Sequence, residues 1–217
     1  MKIAPSLLAA DFLHLEKDVQ MLNANADIIH LDIMDGSLVS NISFGFSVAE
    51  PVCRMATVPT DAHLMIIHPE RYFERFAQCG TKMLSFHYEA ARLAHKCPRT
   101  LLRKIRKLGM KAGIAINPDI PVQKIFKYLK YADFVVLMSV FAGFGGQKFI
   151  YETYDRLGDL KAEIQRRGLK CEIEVDGGVG PDNAAGLSKF GADILVAGSS
   201  VFRSEDPAAT IRQLREA

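Results

Sequence analysis

Eight times in 217 residues the chain repeats one rhythm: a short apolar run, a polar turn, then a longer amphipathic stretch. The apolar runs are Lys2–Ala4, Asp27–Ile33, Thr60–Met65, Met83–Phe86, Lys111–Ile116, Phe134–Met138, Cys171–Val175 and Ile194–Ala197. Helical spacing of apolar residues predicts helices over Asp11–Asn23, Pro69–Cys79, Thr100–Leu108, Pro121–Lys130, Tyr151–Arg167, Pro181–Phe190 and Pro207–Glu216, with a weaker pattern at Ser47–Met55. Pro69, Pro121, Pro181 and Pro207 suit the first helical turn, where a missing N–H costs little. Gly80, Gly109, Gly168 and Gly191 stand where left-handed caps end helices. Strands alternating with helices at this density predict parallel βα units. Phe134-Val135-Val136-Leu137-Met138 is apolar throughout, as a strand covered on both faces must be. The α/β class therefore follows, and a closed (β/α)8 TIM barrel spanning 1–217 as one domain fits the count. An open doubly wound sheet competes, but its Gly-x-Gly-x-x-Gly turn after the first strand is missing.

Composition narrows the function. A chain that is 49% hydrophobic and 24% charged has a core to bury, which argues against disorder. No apolar run approaches the roughly 18–20 residues of a membrane span. Met1–Ser6 lacks the apolar core of a secretory signal, so a cytoplasmic location is expected, with no membrane partner. A net charge of +2 is too balanced for a nucleic-acid footprint. The basic run Arg99–Lys107 alternates with Leu101, Leu102 and Ile105 at helical spacing and reads as a solvated helix face. Cysteines 53, 79, 97 and 171 form no Cys-x-x-Cys pair and are expected as free thiols.

A barrel places its chemistry at the C-terminal ends of the strands and in the loops that follow. The second run reads Ile29-His30-Leu31-Asp32-Ile33, so His30 and Asp32, two apart, face one way. The third repeats the oddity in Asp61-Ala62-His63-Leu64-Met65, and the seventh ends at Asp176 before Gly177-Gly178. Polar groups among Ile and Leu are costly to bury unless they are paired or bind something. Two imidazoles and two carboxylates meeting at one barrel mouth make a divalent-metal site. Zn²⁺ suits that mixed set first, and Fe²⁺, Mn²⁺ or Co²⁺ also suit it. His14, His68, His87 and His95 lack such partners in the sequence and are read as structural.

Anion binding has its own signal. Gly143-Phe144-Gly145-Gly146 after the sixth run, Gly177-Gly178 after the seventh and Gly198-Ser199 after the eighth let backbone N–H groups approach a phosphate closely. Barrels often hold phosphate with the loops after strands 7 and 8 and a helix N-terminus there. A small phosphate ester is the expected ligand.

Taken together these segments resemble the ribulose-phosphate 3-epimerase family over nearly the whole chain. The resemblance rests on Ile3-Ala4-Pro5-Ser6-Leu7-Leu8, His30-Leu31-Asp32-Ile33-Met34-Asp35-Gly36, Asn41-Ile42-Ser43-Phe44-Gly45 and His63-Leu64-Met65. It continues through Gly109-Met110-Lys111-Ala112-Gly113, Gly143-Phe144-Gly145-Gly146-Gln147-Lys148-Phe149, Glu174-Val175-Asp176-Gly177-Gly178-Val179 and Ala197-Gly198-Ser199. It implies a barrel of the ribulose-phosphate-binding type that interconverts D-ribulose 5-phosphate and D-xylulose 5-phosphate in the pentose phosphate pathway, with one divalent metal and no organic cofactor. His30, Asp32, His63 and Asp176 would be the metal ligands, and Asp32 and Asp176 also the acid/base pair. Ser6, His63, Asp176, Gly143 to Gly146, Gly177, Gly178, Gly198 and Ser199 would touch substrate, and Met34, Met65 and Met138 would line the site. A homo-oligomer is implied as well. Two mouth segments depart from the family pattern: Ser37-Leu38-Val39-Ser40, and Phe141-Ala142 before Gly143. Each lacks a proline common in the family, so looser loops are expected. A sister epimerase acting on D-allulose 6-phosphate is the nearest alternative reading. A sugar-phosphate lyase on a related barrel is the other, although no lysine at a strand's C-terminal end offers Schiff-base chemistry.

Overall fold

A computed structural model describes residues 1–217. Its strands are β1 (Lys2–Pro5), β2 (Ile29–Met34), β3 (Thr60–Met65), β4 (Met83–His87), β5 (Lys111–Ile116), β6 (Phe134–Met138), β7 (Glu172–Asp176) and β8 (Ile194–Ala197). All eight belong to one parallel sheet in the order β1-β8-β7-β6-β5-β4-β3-β2. The ring closes between β1 and β2 through a parallel bridge from Ser6 to His30 and through the N–H groups of Asp27 and Ile28, both donated to the Ile3 carbonyl. The (β/α)8 barrel read from the rhythm is therefore the fold. No helix is long and apolar enough to cross a membrane.

The helices are α1 (Leu15–Asn25), α2 (Phe46–Met55), α3 (Phe73–Gln78), α4 (Tyr88–Leu93), α5 (Pro98–Lys107), α6 (Thr153–Arg166), α7 (Pro181–Phe190), α8 (Ser199–Phe202) and α9 (Pro207–Glu216). Three differ from the sequence expectation. The stretch at Pro121–Lys130 is not an α-helix but two 3-10 turns, Val122–Lys124 and Phe126–Tyr131. Its buried residues Val122, Ile125 and Leu129 fit either winding, because so short a stretch cannot separate periods of 3.0 and 3.6. Pro69–Cys79 divides into a 3-10 turn at Pro69–Arg71 and α3, with Tyr72 between them. Asp11 stays outside α1, since its carboxylate accepts the Leu13 N–H in a local turn instead. Helix α4 has no counterpart among the expected helices: its buried face is carried by Tyr88, Ala90 and Ala91, too small a stripe to stand out. All four cysteines are unpaired.

Alternation along each strand sorts the side chains into two shells. Leu31, Leu64, Leu84, Ile114, Val135, Leu137, Ile173, Val175 and Leu195 point outward into the main core under the helices. Ala4, Met83, Ala115, Phe134, Val136, Ile194 and Val196 point into the barrel and form a separate apolar cluster. On β2, β3, β4 and β7 the inward positions include a buried polar set, His30 and Asp32, Asp61 and His63, Ser85 and His87, Glu174 and Asp176, with Met34 and Met65 above it at the ends of β2 and β3. The barrel interior is thus apolar on one side and densely ionisable on the other. That division builds the site.

Candidate active site

Strand register brings the polar groups together. His30 pairs with Asp61 and Asp32 with His63 across β2 and β3, and Asp176 at the end of β7 lies beside Met138 and Val196. The Nε2 atom of His30 is 3.3 Å from Asp32 Oδ1 and 3.9 Å from Asp176 Oδ2. The Nδ1 atom of His63 is 3.3 Å from Asp32 Oδ1 and 3.4 Å from Asp176 Oδ2. One ligand atom from each of the four residues lies within 4.8 Å of every other. Although His63 Nδ1 is this close to two carboxylate oxygens, it is aligned for a hydrogen bond with neither. A buried nitrogen and two carboxylate oxygens converging on one point without bonding each other is the donor arrangement a divalent cation requires, and the N/O set suits one.

Electrostatics agree. Burial opposes charge on His63, but the Asp176 and Asp32 carboxylates outweigh it and lift its pKa to about 9. His30 behaves alike: burial lowers its pKa, and Asp32 with its other acidic neighbours raises it well above the ordinary value. Burial would raise Asp32, yet the His30 and His63 imidazoles beside it pull it far below the usual carboxylate range. The cluster holds positive charge strongly, as protons or as a metal.

Supporting groups fix the four side chains. His30 Nδ1 lies 2.9 Å from Asp61 Oδ2 and 3.2 Å from Glu174 Oε1, both fully buried. Burial and the neighbouring Asp61 charge push Glu174 up to about 8. Ser6 Oγ donates to Asp32 Oδ2. Ser43 Oγ donates to the Asp32 carbonyl at 2.6 Å and accepts the Met34 N–H at 3.0 Å, pinning the end of β2. Ser139 Oγ donates to the Asp176 carbonyl at 2.9 Å, pinning the end of β7. Asp61 and Glu174 each stand two residues before a proposed ligand, so strand period alone could have placed them on the same inward face. Ser43 and Ser139 carry no such signal, because only the fold brings them near. His87 corrects the sequence reading: it is not an isolated structural histidine but lies against His63, Nε2 to Nε2 at 2.9 Å.

Above this cluster opens a cavity of about 320 Å³. Asp32 and Asp176 reach its floor, and Met34, Met65 and Met138 supply apolar walls beside Ser6. His30 and His63 are fully buried and lie outside its lining. The far wall is Gly143, Phe144, Gly145 and Gly146 with Gly177, Gly178, Gly198 and Ser199, so the three glycine loops do converge. Gly177 and Gly178 have φ of 118° and 61°, a conformation side chains resist. A Cβ on Gly177 would meet Val140 Cγ2 at 2.3 Å, and one on Gly178 the Phe149 backbone nitrogen at 2.7 Å. The N–H groups of Gly177, Gly178 and Gly198 donate no backbone hydrogen bond, which leaves them for a ligand.

The two departing loops are held by side chains despite their missing prolines. Asn41 Nδ2 donates to the Gly143 carbonyl at 2.8 Å, joining one loop to the other. Ala142 N–H donates to Asn117 Oδ1 at 2.9 Å, and Gln147 Nε2 donates to the Phe141 and Phe144 carbonyls.

Comparison with known proteins agrees with this geometry. The model of the Ribulose-phosphate 3 epimerase family matches residues 2–202. The ribulose-phosphate 3-epimerase of Aquifex aeolicus is 40% identical over 98% of this chain and 95% of its own length. That of Bacillus subtilis is 40% identical over 99% of this chain and 98% of its own. Among solved structures, 3-hexulose-6-phosphate synthase superposes with a TM-score of 0.74 at 16% identity, covering 100% of this chain and 99% of that one. The tryptophan synthase alpha-subunit of Pyrococcus furiosus gives 0.71 at 16%, covering 99% and 96%; at such identities the likeness is one of fold alone. A family match over most of the chain, with relatives at this identity along their whole length, leaves one conclusion: the chain belongs to the ribulose-phosphate 3-epimerase family of isomerases.

Proposed function

We propose that the protein interconverts D-ribulose 5-phosphate and D-xylulose 5-phosphate by moving the proton at C3. The observation that carries this reading is the pair of carboxylates, Asp32 and Asp176, on two separate strands at the floor of a cavity whose far wall is three glycine-rich loops suited to an anion. Epimerising a carbon next to a ketone removes a proton from one face and returns one to the other. One aspartate takes the C3 proton as base, and the other protonates the opposite face as acid; the roles exchange in reverse. Ser6, donating to Asp32 Oδ2, orients that carboxylate. The N–H groups of Gly177, Gly178 and Gly198, with Ser199 at the start of α8, hold the phosphate, aided by the loop at Gly143–Gly146. Met34, Met65 and Met138 keep water from the reacting carbon. His30, Asp32, His63 and Asp176 hold one divalent metal, Zn²⁺ first among those suited. When bound, it supplies Lewis-acid stabilisation of the negative charge that develops on the substrate oxygens. No step calls for an organic cofactor.

The test is an epimerase assay of metal-replete protein on D-ribulose 5-phosphate beside D-allulose 6-phosphate. Faster turnover of the pentose is expected. Preference for the hexose would make the protein the sister epimerase, and no turnover of either would overturn the reading.

A further inference from the structure

The fourth strand contributes a residue that the proposed reaction does not use. His87, at the C-terminal end of β4, is fully buried beside the active-site cluster. Its ring lies edge to edge with that of His63, planes 14° from parallel and centroids 5.0 Å apart, so that the two Nε2 atoms face each other at 2.9 Å. At that distance one nitrogen carries the proton and the other accepts it. His63 turns Nδ1 toward Asp32 and Asp176, so as a metal ligand it keeps that nitrogen bare and its proton on Nε2. His87 Nε2 is then the acceptor, and its own proton sits on Nδ1, which faces Glu89 Oε1 at 3.8 Å.

We propose that His87 is a positioning residue: by accepting the Nε2–H of His63 it fixes the tautomer and ring orientation that aim His63 Nδ1 at the metal. This rests on His63 being a ligand, as the proposed function has it. The two imidazoles of the cluster are therefore backed differently, His30 by the Asp61 carboxylate and His63 by a second imidazole. The backing continues outward. Glu89 Oε1 accepts the Asn117 N–H at 2.9 Å, and Asn117 Oδ1 accepts the Ala142 N–H in the loop beside the cavity. Glu89 thus stands between His87, whose Nδ1 it faces without a hydrogen bond, and a loop at the cavity's edge.

The experiment compares wild type, His87→Phe and His87→Gln, each stripped of metal and titrated with Zn²⁺ under chelator competition and with Co²⁺ by visible absorption. Phe keeps a planar ring at this position and removes the acceptor; Gln places an amide oxygen near the position of Nε2. His87→Phe is expected to weaken metal binding about 10–100-fold, the usual consequence of removing a ligand's hydrogen-bond partner, and to alter the Co²⁺ spectrum. His87→Gln is expected to remain near wild type in both. Should His87→Phe fail to fold, His87→Asn, whose shorter amide cannot reach His63, carries the same expectation. Wild-type affinity and spectrum in the variant lacking the acceptor would overturn the proposal, as would equal losses in Gln and Phe. Failure of the wild type to bind either metal would instead overturn the metal reading itself.

Discussion

Asp32 and Asp176 come from strands on opposite flanks of the β1–β2 closure, yet their oxygens stand 3.3 and 3.4 Å from a single atom, His63 Nδ1. That nitrogen can hold a proton or a metal, never both. With its pKa lifted to about 9, His63 holds the proton through the neutral range in metal-stripped protein.

Metal uptake must therefore release that proton. Below about pH 9 the apparent affinity for Zn²⁺ should fall by up to about tenfold per pH unit for each proton displaced. Chelator competition at pH 6, 7 and 8 measures the slope, and calorimetry in buffers of different ionisation enthalpy counts the protons. Affinity independent of pH would contradict this.

Stability of the stripped protein should move the opposite way. His63 rises on folding from its ordinary 6.5 to about 9, so the stability it contributes is complete below pH 6.5 and lost as pH passes 9. Glu174, raised from 4.5 to about 8, acts in the same direction, because the folded state binds the extra proton between those values. Asp32, depressed on folding, withdraws its contribution only in acid, below its ordinary 3.8. The Tm of metal-stripped protein, followed by circular dichroism, should decline from pH 6 to pH 9, and added Zn²⁺ should offset the decline.

The proposed phosphate cradle depends on backbone that side chains resist. Gly178→Ala forces φ of 61° on a residue with a Cβ 2.7 Å from the Phe149 nitrogen, so the backbone must shift. The expected cost is about 1–3 kcal/mol in stability, with a rise in KM for the phosphorylated substrate larger than the fall in kcat. Gly45→Ala, where φ is −117° and nothing lies within 4 Å, is the control and should change neither by much.

Much of this architecture is legible in the sequence because the fold repeats. The β3, β5, β6 and β8 bounds follow directly from their apolar runs, and the strand period of two by itself puts His30 and Asp32 on one side. The exceptions are local. Apolar spacing does not tell two 3-10 turns from an α-helix at Pro121–Lys130, and Ala90 and Ala91 make too faint a stripe for α4. At the site, Asp32 is legible as a polar residue within an apolar strand and Asp176 as one at a strand's end. His87 is not, because its significance lies in a contact with the neighbouring strand, and register between strands is not written within either one. Asn117 is equally silent: its side chain meets the Ala142 N–H only because the fold brings the two loops together.

The most direct measurement follows the C3 proton itself. In D₂O, metal-replete wild type acting on D-ribulose 5-phosphate should yield D-xylulose 5-phosphate carrying deuterium at C3, observed by ¹H NMR. Asp32→Asn and Asp176→Asn should each retain the barrel by circular dichroism and lose about 10²–10⁴-fold in the rate of forming that deuterated epimer. Formation of the epimer by either variant at near the wild-type rate would contradict the two-aspartate mechanism.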